Sequence, residues 1–435
     1  MIRIINRLAR VKLESLVILF FVFLTLFPTL RILTIGTETS TNFYELFISI
    51  LPELFFSLII VKVAVSIIKN GVPIRFNIID YSVLSFFILN LVVGAILSNN
   101  FKLSLYAFRM TYLPIVFYFI IRIADIKKEE FDKVLHTIFN WFTVIGIIGI
   151  LLYFVFKDSM MYMLNLVDKD HIPAYFIIRM SSILWTPVCF GTLMSLSTLY
   201  WLNECTKEKR WIVFTKFAIV LFCLIFSVSR GAILATVVGM GMLFVYYFNQ
   251  NRVLFGSILV VIILVYLGAS FYIADPFIFT KWFIHTSSET ASMGTNMVRV
   301  KFWNSSYSLF LDRPYGYGLG RAGHIAARFF SPDSKEAAFY STDGWFLKLL
   351  CENGIQGLVL YIFFSISFIY YCLANLIKNV DVNDKDRVYF FFVFFISINF
   401  QNMVSNVLDF YMINYFFWMV IGFASSQIYH KKTIA

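Results

Sequence analysis

Charged residues are scarce in this sequence: Asp, Glu, Lys and Arg make up only 14% of its 435 residues, against 60% hydrophobic ones. So few charges cannot clothe a soluble domain of that size, and a soluble fold is excluded. Cysteine is limited to five residues. Cys189, Cys223 and Cys372 fall in or beside apolar runs, Cys205 lies in a short polar connection and Cys351 stands by itself, so no two share a metal or redox spacing and no disulfide is expected. The five histidines are scattered at 136, 171, 285, 324 and 430. No spacing of His, Cys, Asp and Glu suits a metal and no Ser/His/Asp arrangement can be defended, so the sequence gives no metal site and no cofactor. Repeats, low-complexity tracts and Pro/Gly/Ser linkers are also missing, and residues 1–435 read as a single polytopic membrane domain.

What the chain has in abundance is apolar length. Runs of about 20 apolar residues, the length a helix needs to cross hydrocarbon, recur from end to end. The first, 13–35, follows the basic residues Arg3, Arg7, Arg10 and Lys12 but has no small-residue cleavage site, and it reads as a retained span. Others are predicted near 44–68, 78–98, 104–123, 134–156, 180–201, 212–229, 231–248, 253–273, 345–377, 388–408 and 410–429. That makes about twelve transmembrane helices, an all-α integral membrane fold. With the N-terminus inside, the cytoplasmic pieces hold 18 Lys and Arg and the short outer connections six. This bias predicts both termini in the cytoplasm, because cationic loops resist translocation and anionic lipid attracts them. The formal charge of +11 therefore calls for membrane lipid and not for nucleic acid.

One outer connection is unlike the rest. Residues 274–344, between spans nine and ten, form a large loop with seven cations on the face where few are expected. Two readings of it stand, a solvated cap and a functional surface. The pattern inside it favours the second. Residues 295–312 read as a helix on which Arg299, Trp303, Ser306 and Phe310 share one face. Then comes Pro314-Tyr315-Gly316-Tyr317-Gly318-Leu319-Gly320-Arg321, whose alternating glycines let the backbone approach a ligand and turn N–H groups inward, a geometry suited to anions. His324 follows four residues after Gly320. Finally Ser341-Thr342-Asp343-Gly344 leads into an apolar helix, and Asp343 reads either as its cap or as a carboxylate near several arginines.

Further arginines mark the outer ends of spans. Arg230 lies in the tight connection Ser227-Val228-Ser229-Arg230-Gly231-Ala232, Arg179 opens span six, and Arg109 sits about one and a half turns into span four. Each alone fits snorkelling to lipid phosphate; together they lie at one depth on one face. Glu45 and Glu53, eight residues apart on span two, and Lys62 at its inner end are less persuasive.

The series Ser229-Arg230-Gly231-Ala232, then Arg299 with Trp303, then the glycine motif 314–320, then Glu352-Asn353-Gly354-Ile355-Gln356-Gly357-Leu358, resembles the O-antigen ligase and Wzy-type O-antigen polymerase superfamily. The resemblance covers residues 179–360; the first 178 match only in topology. Ligases of that superfamily carry a His-Asn pair where this chain has Asp343-Gly344, a departure that favours a polymerase.

The resemblance implies a GT-C-like glycosyltransferase of the bacterial inner membrane, working on the periplasmic face without a metal. Its substrates would be undecaprenyl-diphosphate-linked oligosaccharide and polysaccharide, with a chain-length regulator protein as a further partner. Arg230 and Arg299 would bind the diphosphate, with Arg109, Arg179 and Arg321 next, and Asp343 would act on the attacking hydroxyl. Trp303, Gly318, Gly320 and His324 would line the substrate site. The alternatives are a ligase that transfers glycan to a lipid A core and a repeat-unit flippase. Transporters usually show two related halves, and none is visible here.

Overall fold

The computed structural model describes residues 12–35, 43–70, 76–97, 100–124, 126–156, 179–208, 210–248, 291–329, 342, 344–378 and 382–430. Every regular element among them is helical: α1 (Leu13–Ile35), α2 (Phe43–Asn70), α3 (Ile78–Ile96), α4 (Phe101–Ala107) continuing as a π-helical turn (Phe108–Tyr112), α5 (Ile115–Ala124), α6 (Lys128–Phe154), α7 (Pro187–Lys207), α8 (Trp211–Phe226), α9 (Arg230–Tyr247), α10 (Ala291–Asp312), α11 (Gly323–Phe329), α12 (Trp345–Lys378), α13 (Val382–Asn402) and α14 (Tyr411–His430), with short 3-10 turns at Ser182–Leu184 and Val407–Asp409. Only helices of this kind satisfy their backbone groups internally in lipid.

Six of these helices are long and apolar enough to cross a membrane, or seven if α4 and α5 form one span bent by 42°. They turn large side chains outward, among them Ile96 at 73% exposed and Val245 at 79%. Such outward-facing apolar surface suits lipid and not water. The predicted span at 253–273 lies outside the described residues; helices stand at each of the other predicted positions. The full count of twelve and the orientation of the termini rest on the sequence.

Two predicted helices are interrupted. The fourth span, read as continuous over 104–123, widens into the π turn, where the Leu113 amide reaches back to the Phe108 carbonyl at 2.8 Å, and breaks before Pro114, which has no N–H to donate. In α12, Gly354 leaves helical geometry at φ 68°, ψ −166° and divides a short N-terminal segment from the long span.

Aromatic packing fills the interior. Phe20 of α1, Phe56 of α2, Phe117 of α5 and Tyr415 of α14 form one cluster, with Phe56 and Tyr415 edge to face at 4.9 Å between centroids. α14 lies tight on α5 because Gly422 meets the Tyr118 backbone, where a Cβ would come within 2.6 Å of the carbonyl oxygen. At one end of the bundle, charge pairs tie helices together: Lys128 to Asp384 at 2.9 Å, Arg387 to Asp132 at 2.5 Å, and buried Asp80 to Arg122 at 3.1 Å. α13 runs from that end to the other, where the site lies.

Candidate functional site

The far end of α13 turns through residues 403–410 into α14, and this turn touches the Arg230 connection, both neighbours of Asp343 and the His324 ring. Its central side chain is Asn406. The Asn406 Oδ1 accepts from the Gly344 amide at 3.2 Å, and its Nδ2 donates to the Thr342 carbonyl at 2.5 Å. Asp343 itself lies outside the described residues, but both of its neighbours are bound to this one side chain.

The Arg230 connection packs on the same turn. Arg230 is the first residue of α9, and the adjoining Gly231 is close enough that a Cβ there would lie 3.0 Å from Val404 and 3.5 Å from both Gln401 and the Ser405 hydroxyl. Arg179 secures the connection from its other side: its guanidinium donates to the Ser227 carbonyl at 3.2 Å and the Val228 carbonyl at 3.0 Å. Val228 needs that support, since it holds a φ of +50°, a conformation that β-branched residues avoid. Gln401, one turn earlier on α13, donates to Thr192 of α7 at 2.8 Å and fixes a third helix here.

The glycine loop arrives from another direction and docks on the N-terminal segment of α12. The Tyr317 amide donates to the Cys351 carbonyl at 2.9 Å, the Gly318 amide to the Glu352 carbonyl at 3.0 Å, and the Ile355 amide to the Pro314 carbonyl at 2.8 Å. Gly316 and Gly354 both have positive φ, and a Cβ on either would lie 2.4 Å from a carbonyl oxygen of the other strand of this contact. The motif predicts amides turned toward a bound anion; here the Gly320 and Ala322 amides donate instead to the chain's own Glu352 side chain, at 2.9 Å and 3.2 Å. Arg321, between those two residues, is partly exposed. His324, exposed in the first turn of α11, places its ring 5.6 Å from that of Phe410 in the turn.

Arg109 is also near, just beyond the turn. Its guanidinium pairs with Glu53, with Nη2 to Oε2 at 2.9 Å, and the Tyr411 hydroxyl donates to the same carboxylate at 2.8 Å. Glu53, less persuasive in the sequence, is thus the partner that makes a partly buried charge tolerable. Arg299 belongs to α10, but its side chain lies outside the described residues. Trp303 on the same helix is 37% exposed, and α10 rests on α12 where the Cys351 thiol donates to the Ser306 carbonyl at 3.4 Å.

Sequence reasoning singled out neither the turn nor the buried Lys348 and Asp409 behind it, and took Glu352 only as part of a family motif without a role. The signal was present: Lys348 and Glu352 stand four apart within an apolar run, and Asp409 separates two others. Charges so placed are functional-site candidates by default.

A helical bundle that gathers arginines, a glycine loop and a buried acid–base cluster at one end defines a multi-pass membrane protein with a polar site at the mouth of the bundle. Comparison with known proteins places it further. Residues 216–362 match the family model Wzy_C, described as O-antigen ligase, a stretch that includes Arg230, Arg299, the glycine loop, Asp343 and Glu352. The chain is also 27% identical, over 241 residues, to an O-antigen polymerase of Salmonella muenchen. That match covers 54% of this chain and 57% of the relative, so it spans little more than half of that protein's length. Over these stretches the chain is thus similar both to the O-antigen ligase family model and to an O-antigen polymerase.

Proposed function

We propose that this protein is a surface-polysaccharide polymerase, which moves the growing glycan from undecaprenyl diphosphate onto a lipid-linked repeat unit at the periplasmic face of the inner membrane. One observation carries the reading: the turn 403–410 joins the Arg230 connection, the residues flanking Asp343 and the helix behind the glycine loop. A lipid diphosphate needs concentrated positive charge as it leaves, and arginines supply forked donors that keep their charge at any physiological pH.

In this reading Arg230 and Arg299 hold the diphosphate, with Arg179, Arg109 and Arg321 around them. The acceptor hydroxyl oxygen attacks the anomeric carbon and the bond from that carbon to the phosphate oxygen breaks. The bonding pair leaves with the diphosphate, where the arginines stabilise it. Asp343 takes the proton of the attacking hydroxyl. The GT-C type, the absence of a metal from the reaction and the link to a chain-length regulator belong to the same proposal.

The ligase reading is favoured by the description of the matching family model. Against it, the chain has Asp343-Gly344 where the ligases carry His-Asn. Deleting the gene and inspecting surface glycan separates the two. A single repeat unit on the lipid A core marks a polymerase, whereas long chains stranded on the lipid carrier mark a ligase. Arg230→Ala and Arg299→Ala, inserted at normal levels, should each reproduce the deletion; wild-type glycan from both would remove the diphosphate clamp.

A further inference from the structure

Three ionisable side chains are buried between the glycine loop, α12 and the Val407–Asp409 turn, and the reaction just described uses none of them. Lys348 and Glu352 are 1% and 0% exposed and one helical turn apart, with the ammonium 3.9 Å from Glu352 Oε2. Lys348 also pairs with Asp409 and donates to the Thr111 hydroxyl at 3.3 Å. Glu352 takes the Gly320 and Ala322 amides on Oε1 and the Tyr112 hydroxyl on Oε2, the last at 3.4 Å. Asn353 supports Tyr112 in turn, donating to its hydroxyl at 3.0 Å.

Two carboxyl groups face one ammonium, and the loop amides and nearby hydroxyls supply the remaining donors around them. Such a cluster carries a desolvation penalty that apolar residues of the same volume would avoid. What the Glu352 carboxylate does, and a leucine could not, is grip the backbone on both sides of a single residue: the amides of Gly320 and Ala322 bracket Arg321. Lys348 then links that grip to Asp409, in the turn that holds the Arg230 connection and the flanks of Asp343.

We infer that Glu352, held in place by Lys348, is a positioning residue for the lipid-diphosphate donor: it fixes the loop backbone on either side of Arg321 and so aims that guanidinium at the phosphate. This rests on the polymerase reading, in which Arg321 meets the diphosphate.

The test measures initial rates of the full-length protein in nanodiscs against concentration of an undecaprenyl-diphosphate-linked repeat unit, for wild type, Glu352→Gln, Arg321→Ala and the double variant. Gln keeps the shape and one acceptor oxygen but loses the charge that Lys348 pairs with. Glu352→Gln should raise the donor KM about three- to tenfold with kcat within about twofold, the size of one weakened charge-assisted hydrogen bond. The double variant should be no worse than Arg321→Ala alone, because residues that act through one another do not add. A wild-type KM in Glu352→Gln, or losses that multiply in the double variant, would overturn the positioning role. A wild-type KM in Arg321→Ala would instead overturn the assignment of Arg321 to the donor, leaving the role of Glu352 without an object.

Discussion

Asn406 accepts a hydrogen bond from the Gly344 amide at 3.2 Å, and these two residues are 62 apart in the chain. The other end of the same side chain donates to the Thr342 carbonyl, so one amide group spans the position of Asp343. Replacing Asn406 with Ala should cost about 1–3 kcal/mol by leaving a buried backbone amide and a carbonyl unpaired. Polymer on a glycan gel should fall sharply while the protein remains inserted. Asn406→Asp keeps the acceptor but sets a second oxygen against the Thr342 carbonyl and should be impaired as well; a full-length ladder from Asn406→Ala would show that the turn does not hold the residues flanking Asp343.

Arg179 should matter through geometry. Its guanidinium holds two consecutive carbonyls, Ser227 and Val228, directly before Arg230. Arg179→Lys keeps the charge but provides a compact ammonium in place of a planar fork, so it should recover only part of the activity lost in Arg179→Ala. Equal activity in Lys and wild type would mean that charge suffices.

Glu53 and Arg109 are partly buried, at 17% and 25% exposure, and are joined to Tyr411. Glu53→Gln should lower the thermal transition in detergent by an amount corresponding to about 1.5–3 kcal/mol, the range for a hydrogen bond to a charged group. Adding Arg109→Met should restore part of that loss, because the unmatched cation is then gone. Strictly additive losses would show that the pair is not coupled.

Glycines offer an internal contrast. Gly316→Ala places a methyl 2.4 Å from the Glu352 carbonyl oxygen at a φ of +93° and should destabilise the loop by about 1–3 kcal/mol, seen as protease cleavage near the motif. Gly241→Ala, in α9 with nothing within 4 Å, should instead stabilise by about 0.5–1 kcal/mol through helix propensity. Similar behaviour of the two variants would refute the interlock of Gly316 with Gly354.

Much of this protein was legible from residue order. The helices follow from apolar length, which hydrocarbon enforces on any chain that crosses it, and the helix ending at Asp312 follows from a 3.6-residue pattern. The glycine motif and the outer arginines stood out because their residue types are rare in such surroundings. Tertiary structure alone decided what these features touch. Nothing in the sequence says that the amides of Gly320 and Ala322 close on Glu352, that Glu53 neutralises Arg109, or that Asn406 reaches both neighbours of Asp343. Those contacts join residues 30 to 64 positions apart, and only helix packing brings them within hydrogen-bond reach. Local periodicity carries information over a few turns of helix, whereas partners across a bundle are chosen by the way the helices meet.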